Sequence, residues 1–297
     1  SSTTNAGTAN LSTQASGGTI NMSSAGGSGA YSLTGGDGVD NLTGDGGNDI
    51  ITGGDNSDII TGKGGNDNLT GGAGNDTFNV DAGTDTITDL STGDILVVSS
   101  SATANATNIS SFVATSSTTN AGTANLSTQA SGGTINMSSA GSSTTFSLTG
   151  GNGADNLTGD GGDDTITGGG GADNLTGGAG NDKYIYSQTS EAASGEVIND
   201  TGGTSDAIQL TGSVDFSNMA DNNFDNIEKI IFAGSNLTAT FKSTQLRGET
   251  IQLNETSSGT SNLVINASAG STIDIANLTA TTFTSGQDTL TINGQNT

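Results

Sequence analysis

Ten aspartates occupy one repeated place in this sequence. Asp40, Asp49, Asp58, Asp67, Asp76 and Asp85 form one run, and Asp155, Asp164, Asp173 and Asp182 form another, each spaced by nine residues. The surrounding nonapeptides are GGDGVDNLT from Gly35, GDGGNDIIT from Gly44, GGDNSDIIT from Gly53, GKGGNDNLT from Gly62 and GGAGNDTFN from Gly71, followed by a degenerate VDAGTDTIT from Val80. The second run reads GGNGADNLT from Gly150, GDGGDDTIT from Gly159, GGGGADNLT from Gly168 and GGAGNDKYI from Gly177. Aligned carboxylates about 5 Å apart repel by roughly 1 kcal/mol in water and by several at a surface-like dielectric. Such rows need a cation between them. Carboxylate and carbonyl oxygens suit calcium, whereas magnesium demands stricter octahedral geometry and keeps its waters.

The elements that would hold these aspartates follow from the same spacing. Gly at the first, second and fourth positions admits φ > 0 and a tight turn. The last three residues make a very short strand whose apolar member points inward: Leu42, Ile51, Ile60, Leu69 and Phe78, then Leu157, Ile166, Leu175 and Tyr184. Two nonapeptides make one coil, so aspartates two copies apart share an edge. The columns are Asp40, Asp58, Asp76 and Asp49, Asp67, Asp85, with Asp155, Asp173 and Asp164, Asp182 in the second run. Asn56 replaces the fourth-position Gly of its copy, and Asp45, Lys63 and Asp160 replace second-position Gly. A lysine there is expected to weaken its site.

A coarser duplication contains these runs. Residues 1–26 recur without change as residues 116–141. Elsewhere, alternating segments such as Gly18–Met22, Ala30–Leu33, Asp85–Leu90, Asp94–Val98, Ala207–Leu210, Ile230–Phe232, Thr250–Leu253, Leu263–Ile265, Ser271–Ile275 and Thr289–Ile292 predict further β-rungs. The expected fold is all-β: parallel β-roll arrays merged with right-handed parallel β-solenoid (β-helix) rungs and almost no helix, the best helical candidate being a turn near residues 218–226. The expected divisions are rungs over 1–34, a first roll over 35–97, duplicated spacer rungs over 98–149, a second roll over 150–186 and further rungs over 187–297.

Composition narrows the function. Thirty acids against five bases give a net charge of −25, which excludes a nucleic-acid partner. The bases Lys63, Lys183, Lys229, Lys242 and Arg247 form no cluster. With no Cys and no His, thiolate and imidazole metal sites are ruled out, as are Ser-His-Asp and Cys-His nucleophiles. No apolar run approaches the roughly 18 residues of a membrane span, so no membrane insertion is expected. Residue 1 is Ser and no signal-peptide pattern follows, which predicts a processed chain or a piece of a longer one. Nor does any catalytic constellation stand out, so no enzyme is expected.

The GGxGxDxUx arrays resemble the RTX family of type I-secreted bacterial proteins, directly over residues 35–79 and 150–185. The remainder resembles, more weakly, the spacer solenoids of large RTX adhesins and surface-layer proteins, with FDNIEKIIF from Phe224 similar to one of their rungs. The resemblance implies calcium held between successive turns by the ten aspartates and turn carbonyls, with roughly three or four ions in the first array and about two in the second. It further implies an extracellular, cell-surface structural protein that folds on calcium outside the cell, with neighbouring copies of itself, and in addition a surface glycan, as partners.

Two other readings compete. One is the carboxy-terminal calcium and secretion module of a polysaccharide-active enzyme; a glycosidase pair would have to come from Glu191, Glu196, Glu228, Glu249 and Glu255, each of which is expected instead as a solvated rung charge. The other is an ice- or glycan-binding solenoid presenting outward Thr43, Thr52, Thr61 and Thr70, although Thr suits exposed strands in any case. The Asn-Leu-Thr sequons at Asn41, Asn68, Asn156 and Asn174 are explained by the repeat.

Overall fold

The computed structural model describes residues 9–25, 28–141, 143–220, 224–246, 250–256, 259–267, 278–280, 282 and 287–294. The chain packs as two units, one of Ser1–Gln129 with Thr134–Ser147, the other of Ala130–Gly133 with Leu148–Thr297.

Each unit is built from short parallel strands that stack coil upon coil. In the first, one sheet runs Ala9–Ser12, Tyr31–Thr34, Ile50–Asp55, Asn68–Ala73, Gly83–Ile87, Ala102–Ile109 and Thr123–Thr128. The facing sheet runs Thr19–Asn21, Asn41–Thr43, Ile59–Thr61, Thr77–Val80, Ile95–Val98 and Thr119–Asn120. The register fixes the coil at two nonapeptides: Leu42 pairs with Ile60 and Ile60 with Phe78, while Ile51 pairs with Leu69 and Leu69 with Ile87.

In the second unit Asn156–Thr158, Asn174–Thr176, Val197–Asn199 and Phe224–Asp225 form one sheet. Thr165–Thr167, Lys183–Tyr186, Ala207–Leu210, Lys229–Phe232 and Gln252–Glu255 follow one another in a second, and Val214–Asp215, Thr238–Lys242, Asn262–Asn266 and Thr289–Asn293 form a third.

The alternation predicted for the nonapeptide strands holds. Leu42, Ile51, Ile60, Leu69, Phe78, Leu157, Ile166, Leu175 and Tyr184 are fully buried, whereas their neighbours Ile50 and Ile59 face solvent. One or two inward side chains per strand, two at Phe78 with Val80 and at Tyr184 with Tyr186, leave a narrow core, adequate because each coil lies on the next. Farther on, the second unit turns to aromatics: Phe216 stacks on Phe241 at 4.6 Å and meets Tyr186 and Phe224 edge-on.

The alternating segments expected as rungs are strands where the structure describes them; Ser271–Ile275 lies outside the described residues. The segment near 218–226 is not helical among its described residues, which hold turns at Asn218 and Asn226, a bend at Met219 and the strand Phe224–Asp225. Among the described residues the helical element is a 3-10 turn at Thr189–Glu191, held by Glu191, whose carboxylate accepts the Ser187 N–H and hydroxyl.

The duplicated sequence repeats its structure. Thr134–Asn136 copies Thr19–Asn21, and the Gly133 N–H donates to Asp155 Oδ1 at 2.7 Å as the Gly18 N–H does to Asp40 Oδ1 at 2.6 Å.

Candidate metal centre

Each of the ten sixth-position aspartates is buried; nine stand immediately before a strand, and Asp85 lies within the strand Gly83–Ile87. Their Oδ1 atoms form continuous ladders. The Asp40 N–H donates to Asp58 Oδ1 at 2.8 Å, the Asp58 N–H to Asp76 Oδ1 at 2.8 Å and the Asp76 N–H to Asp94 Oδ1 at 2.9 Å. On the opposite edge the Tyr31 N–H donates to Asp49, Asp49 to Asp67 and Asp67 to Asp85. In the second array Asp155 donates to Asp173 at 2.8 Å and Asp164 to Asp182 at 2.7 Å. The predicted columns are thus physically joined, each rung held by a backbone N–H to a carboxylate.

The Oδ2 atoms divide nine of the ten aspartates, all but Asp76, into two classes. In the first coil of each array the second-position N–H of the same turn donates to Oδ2: Gly36 to Asp40, Asp45 to Asp49, Gly151 to Asp155 and Asp160 to Asp164. In later coils Oδ2 of Asp58, Asp67, Asp85, Asp173 and Asp182 is buried without a hydrogen-bond partner. The backbone divides the same way. Within the arrays, positive φ occurs only in the later coils, as at Gly54 (φ 126) and Asn56 (φ 70), and turns the second-position N–H away from the carboxylate. Asn56 and Lys63 (φ 81) adopt this conformation in place of Gly. The Lys63 ammonium points to Asp81, 2.7 Å away, so its charge is engaged at the second position of the next coil.

The expectation that first-position glycines supply positive φ is not met; none of Gly35, Gly44, Gly53, Gly62 or Gly71 has it. Space is what these positions require. A Cβ on Gly53 would lie 2.3 Å from Asp58 Oδ2 and 2.5 Å from the Gly71 carbonyl oxygen, and one on Gly159 2.1 Å from Asp164 Oδ2 and 2.3 Å from the Gly177 carbonyl. A carboxylate oxygen and the carbonyl of the next coil converge in this way beside Gly35, Gly44, Gly53, Gly150 and Gly159.

This arrangement is electrostatically unfavourable by itself. Burial, followed by neighbouring carboxylates, pushes Asp67 up to about 7, Asp173 to about 7 and Asp182 to about 8, and raises Asp76 and Asp85 to about 6. The charges acting on Asp67 are those of Asp85, Asp49 and Asp45, all acidic. Unpartnered buried carboxylate oxygens converging with carbonyls fit a hard divalent cation such as calcium, which supplies the missing charge and takes both oxygen types. The ten aspartates would provide its carboxylates, and first-position carbonyls such as those of Gly53 and Gly71 its neutral oxygens.

Several members of the ladders were missed by the sequence reading. Asp94 extends the first column, and Glu196 the column of Asp155 and Asp173. Asp206 and then Glu228 extend that of Asp164 and Asp182. A carboxylate directly before each following strand was the available signal; at Asp94 it stands at the regular spacing of 18, and at Glu196, Asp206 and Glu228 it is hidden by a spacing of 22 to 24 residues. Asp45, anticipated as a mere departure from Gly, is buried, with Oδ1 accepting the Gly47 N–H and Oδ2 unpartnered.

The glutamates are not uniformly the solvated charges expected. Glu196 is fully buried, pushed up to about 8 by burial and hydrogen-bonded by the Tyr186 hydroxyl, and Glu191 is buried in its 3-10 turn; Glu249 lies outside the described residues. The threonine row also departs from expectation. Thr43 and Thr61 are buried, Thr52 and Thr70 only partly exposed, and the Thr70 hydroxyl is hydrogen-bonded to that of Thr88.

The RTX calcium-binding nonapeptide repeat family matches the chain in four copies, over residues 25–59, 34–69, 52–87 and 149–184. No curated protein and no solved structure gives a significant match. The matched spans contain all ten aspartates. The two glycine–aspartate arrays are RTX calcium-binding nonapeptide repeats, which supports assigning the chain to the RTX family.

Proposed function

We propose that this is an extracellular structural protein whose calcium-stabilised β-rolls build a bacterial surface layer or adhesin stalk, folding and assembling when the chain meets calcium outside the cell. The observation that carries the reading is the set of buried Oδ2 atoms without partners in the later coils of both arrays. In this reading the carboxylates are structural ligands, neither general acids nor bases. Each ion present at a hundredfold excess over its dissociation constant stabilises the folded chain by about 2.7 kcal/mol. A few ions are therefore enough to turn an unstable solenoid into a stable one, so folding follows the compartment's calcium.

The 26-residue duplication and the Ser-, Thr- and Gly-rich rungs favour a modular scaffold. With no Cys, contacts between copies have to be non-covalent. The test is twofold. Circular dichroism during EGTA titration should show β-structure lost on chelation and regained with calcium; a spectrum indifferent to chelation would refute calcium-driven folding. Sedimentation and electron microscopy should show filaments or a lattice with calcium and monomers without it. Monomers in both conditions at high concentration would remove the assembly role and leave the calcium-binding roll.

A further inference from the structure

The carboxylates continue beyond the second array, where no nonapeptide remains. The Asp182 N–H donates to Asp206 Oδ1 at 2.6 Å, stacking Asp206 on the array's last aspartate. Between them stands Asp200. The pairing of Asn174 with Val197 and Leu175 with Ile198 puts Asp200 one coil beyond Gly177, in the place of a first-position glycine. That place faces the cation space, since a Cβ on Gly177 would lie 2.2 Å from Asp182 Oδ2. Here the chain installs a carboxylate.

One oxygen from each of Asp182, Asp200 and Asp206 lies within 4.8 Å of the others, and all three residues are buried. Two oxygens bound to one calcium at 2.3–2.6 Å can be at most about 5 Å apart, so the three fit a single coordination sphere. Independently, Oδ2 of Asp182 and Oδ2 of Asp206 are buried without any hydrogen-bond partner, on residues that are 1% and 0% exposed. Asp200 is already oriented: its Oδ2 accepts the Tyr184 hydroxyl at 2.8 Å, and that hydroxyl accepts the Gly177 N–H at 2.6 Å. A Cβ on Gly203 (φ 83) would lie 2.1 Å from the Gly180 carbonyl oxygen and 2.4 Å from Asp206 Oδ2, so this glycine keeps room for a neutral oxygen beside the carboxylate.

We propose that Asp182, Asp200 and Asp206 form a calcium site that closes the second array, built largely from residues outside the repeats. It rests on the calcium reading above. Three carboxylates with a carbonyl in irregular geometry suit calcium better than magnesium, and the absence of His and Cys disfavours zinc.

Calcium would be counted by calorimetry on the full chain and on Asp200→Asn, Asp206→Asn and, in the first array, Asp58→Asn. Asparagine keeps the Oδ1 acceptor of Asp206 for the Asp182 N–H, and circular dichroism in calcium checks that each variant is folded. The expected result is one ion fewer in both Asp200→Asn and Asp206→Asn, and no further ion lost when the two are combined. Tyrosine-excited terbium emission should fall in the same two variants. If the parent chain takes up no calcium, the whole calcium reading fails. If the parent takes it up and both variants bind the parental number, this site alone is refuted.

Discussion

Asp40 and Asp58 share a motif position but not an environment, and exchanging each for asparagine should separate the two roles of the ladder. Asp58 offers Oδ1 to the Asp40 N–H and has an unpartnered Oδ2; Asp40 has both oxygens engaged, by the Gly18 and Gly36 N–H groups. Asp58→Asn keeps the Oδ1 bond but removes a ligand between two turns. With affinity reduced about tenfold at each of two ions, or about 1.4 kcal/mol each, the calcium-loaded chain should lose about 2.7 kcal/mol. Without calcium the same change removes a buried charge whose pKa is already raised by burial, so stability should be unchanged or slightly higher. Asp40→Asn instead turns an amide donor toward the Gly36 N–H, at a cost of about 1–3 kcal/mol with or without calcium. Urea unfolding followed by circular dichroism, in calcium at neutral pH and in EGTA at mildly acid pH, would measure both. An Asp58→Asn loss that persists in EGTA, or an Asp40→Asn loss that vanishes there, would refute the division of the aspartates into two classes.

The pH dependence of the calcium-free chain should run opposite to ordinary acid denaturation. Folded-state values of about 6 to 8 for Asp67, Asp76, Asp85, Asp173 and Asp182 exceed the usual 3.8, so their contribution is full below 3.8 and is lost as pH rises through 6 to 8. Circular dichroism in EGTA should therefore show more β-structure near pH 4 than near pH 8. Gly53→Ala should raise the calcium midpoint of folding, because its Cβ enters the space between Asp58 Oδ2 and the Gly71 carbonyl; Gly64→Ala, whose nearest neighbour would be 3.7 Å away, should not. Ile60→Ala should cost about 2–5 kcal/mol in urea unfolding, while the exposed Ile59→Ala should stay within about 0.5 kcal/mol.

What the sequence made legible was whatever obeys a fixed period. The coil length, the columns and the inward Leu42, Ile60 and Phe78 all follow from a nine-residue repeat whose strands add one core side chain each. Asp200, Asp206 and Glu228 were not legible because the coils there lengthen, and a carboxylate before a strand is indistinguishable by type from a solvated one. The buried Glu196 shows the same limit: its position after a turn and before Val197 identifies it only once the strand pairing is known. The role of first-position glycine was misassigned because φ > 0 and close approach favour the same residue, and only the neighbouring oxygens tell them apart.

The two classes of turn give each array a direction. In its first coil the sixth-position aspartates accept their own second-position N–H groups, and Asp40 and Asp155 also accept an N–H from the rung before the array, so these carboxylates are already hydrogen-bonded, while Asp45 of the same coil keeps a buried, unpartnered Oδ2. From the second coil onward the backbone enters the left-handed region, the N–H turns away, and a buried oxygen is left in each of Asp58, Asp67, Asp173 and Asp182. A coil of this second kind is costly until the cation arrives, and the ladder it would stack on has to exist first. The preceding rungs, 26 residues of which are identical before both arrays, supply that ladder through Gly18 and Gly133. The duplicated segment thus presents a hydrogen-bonded edge on which the first coil of each array stacks.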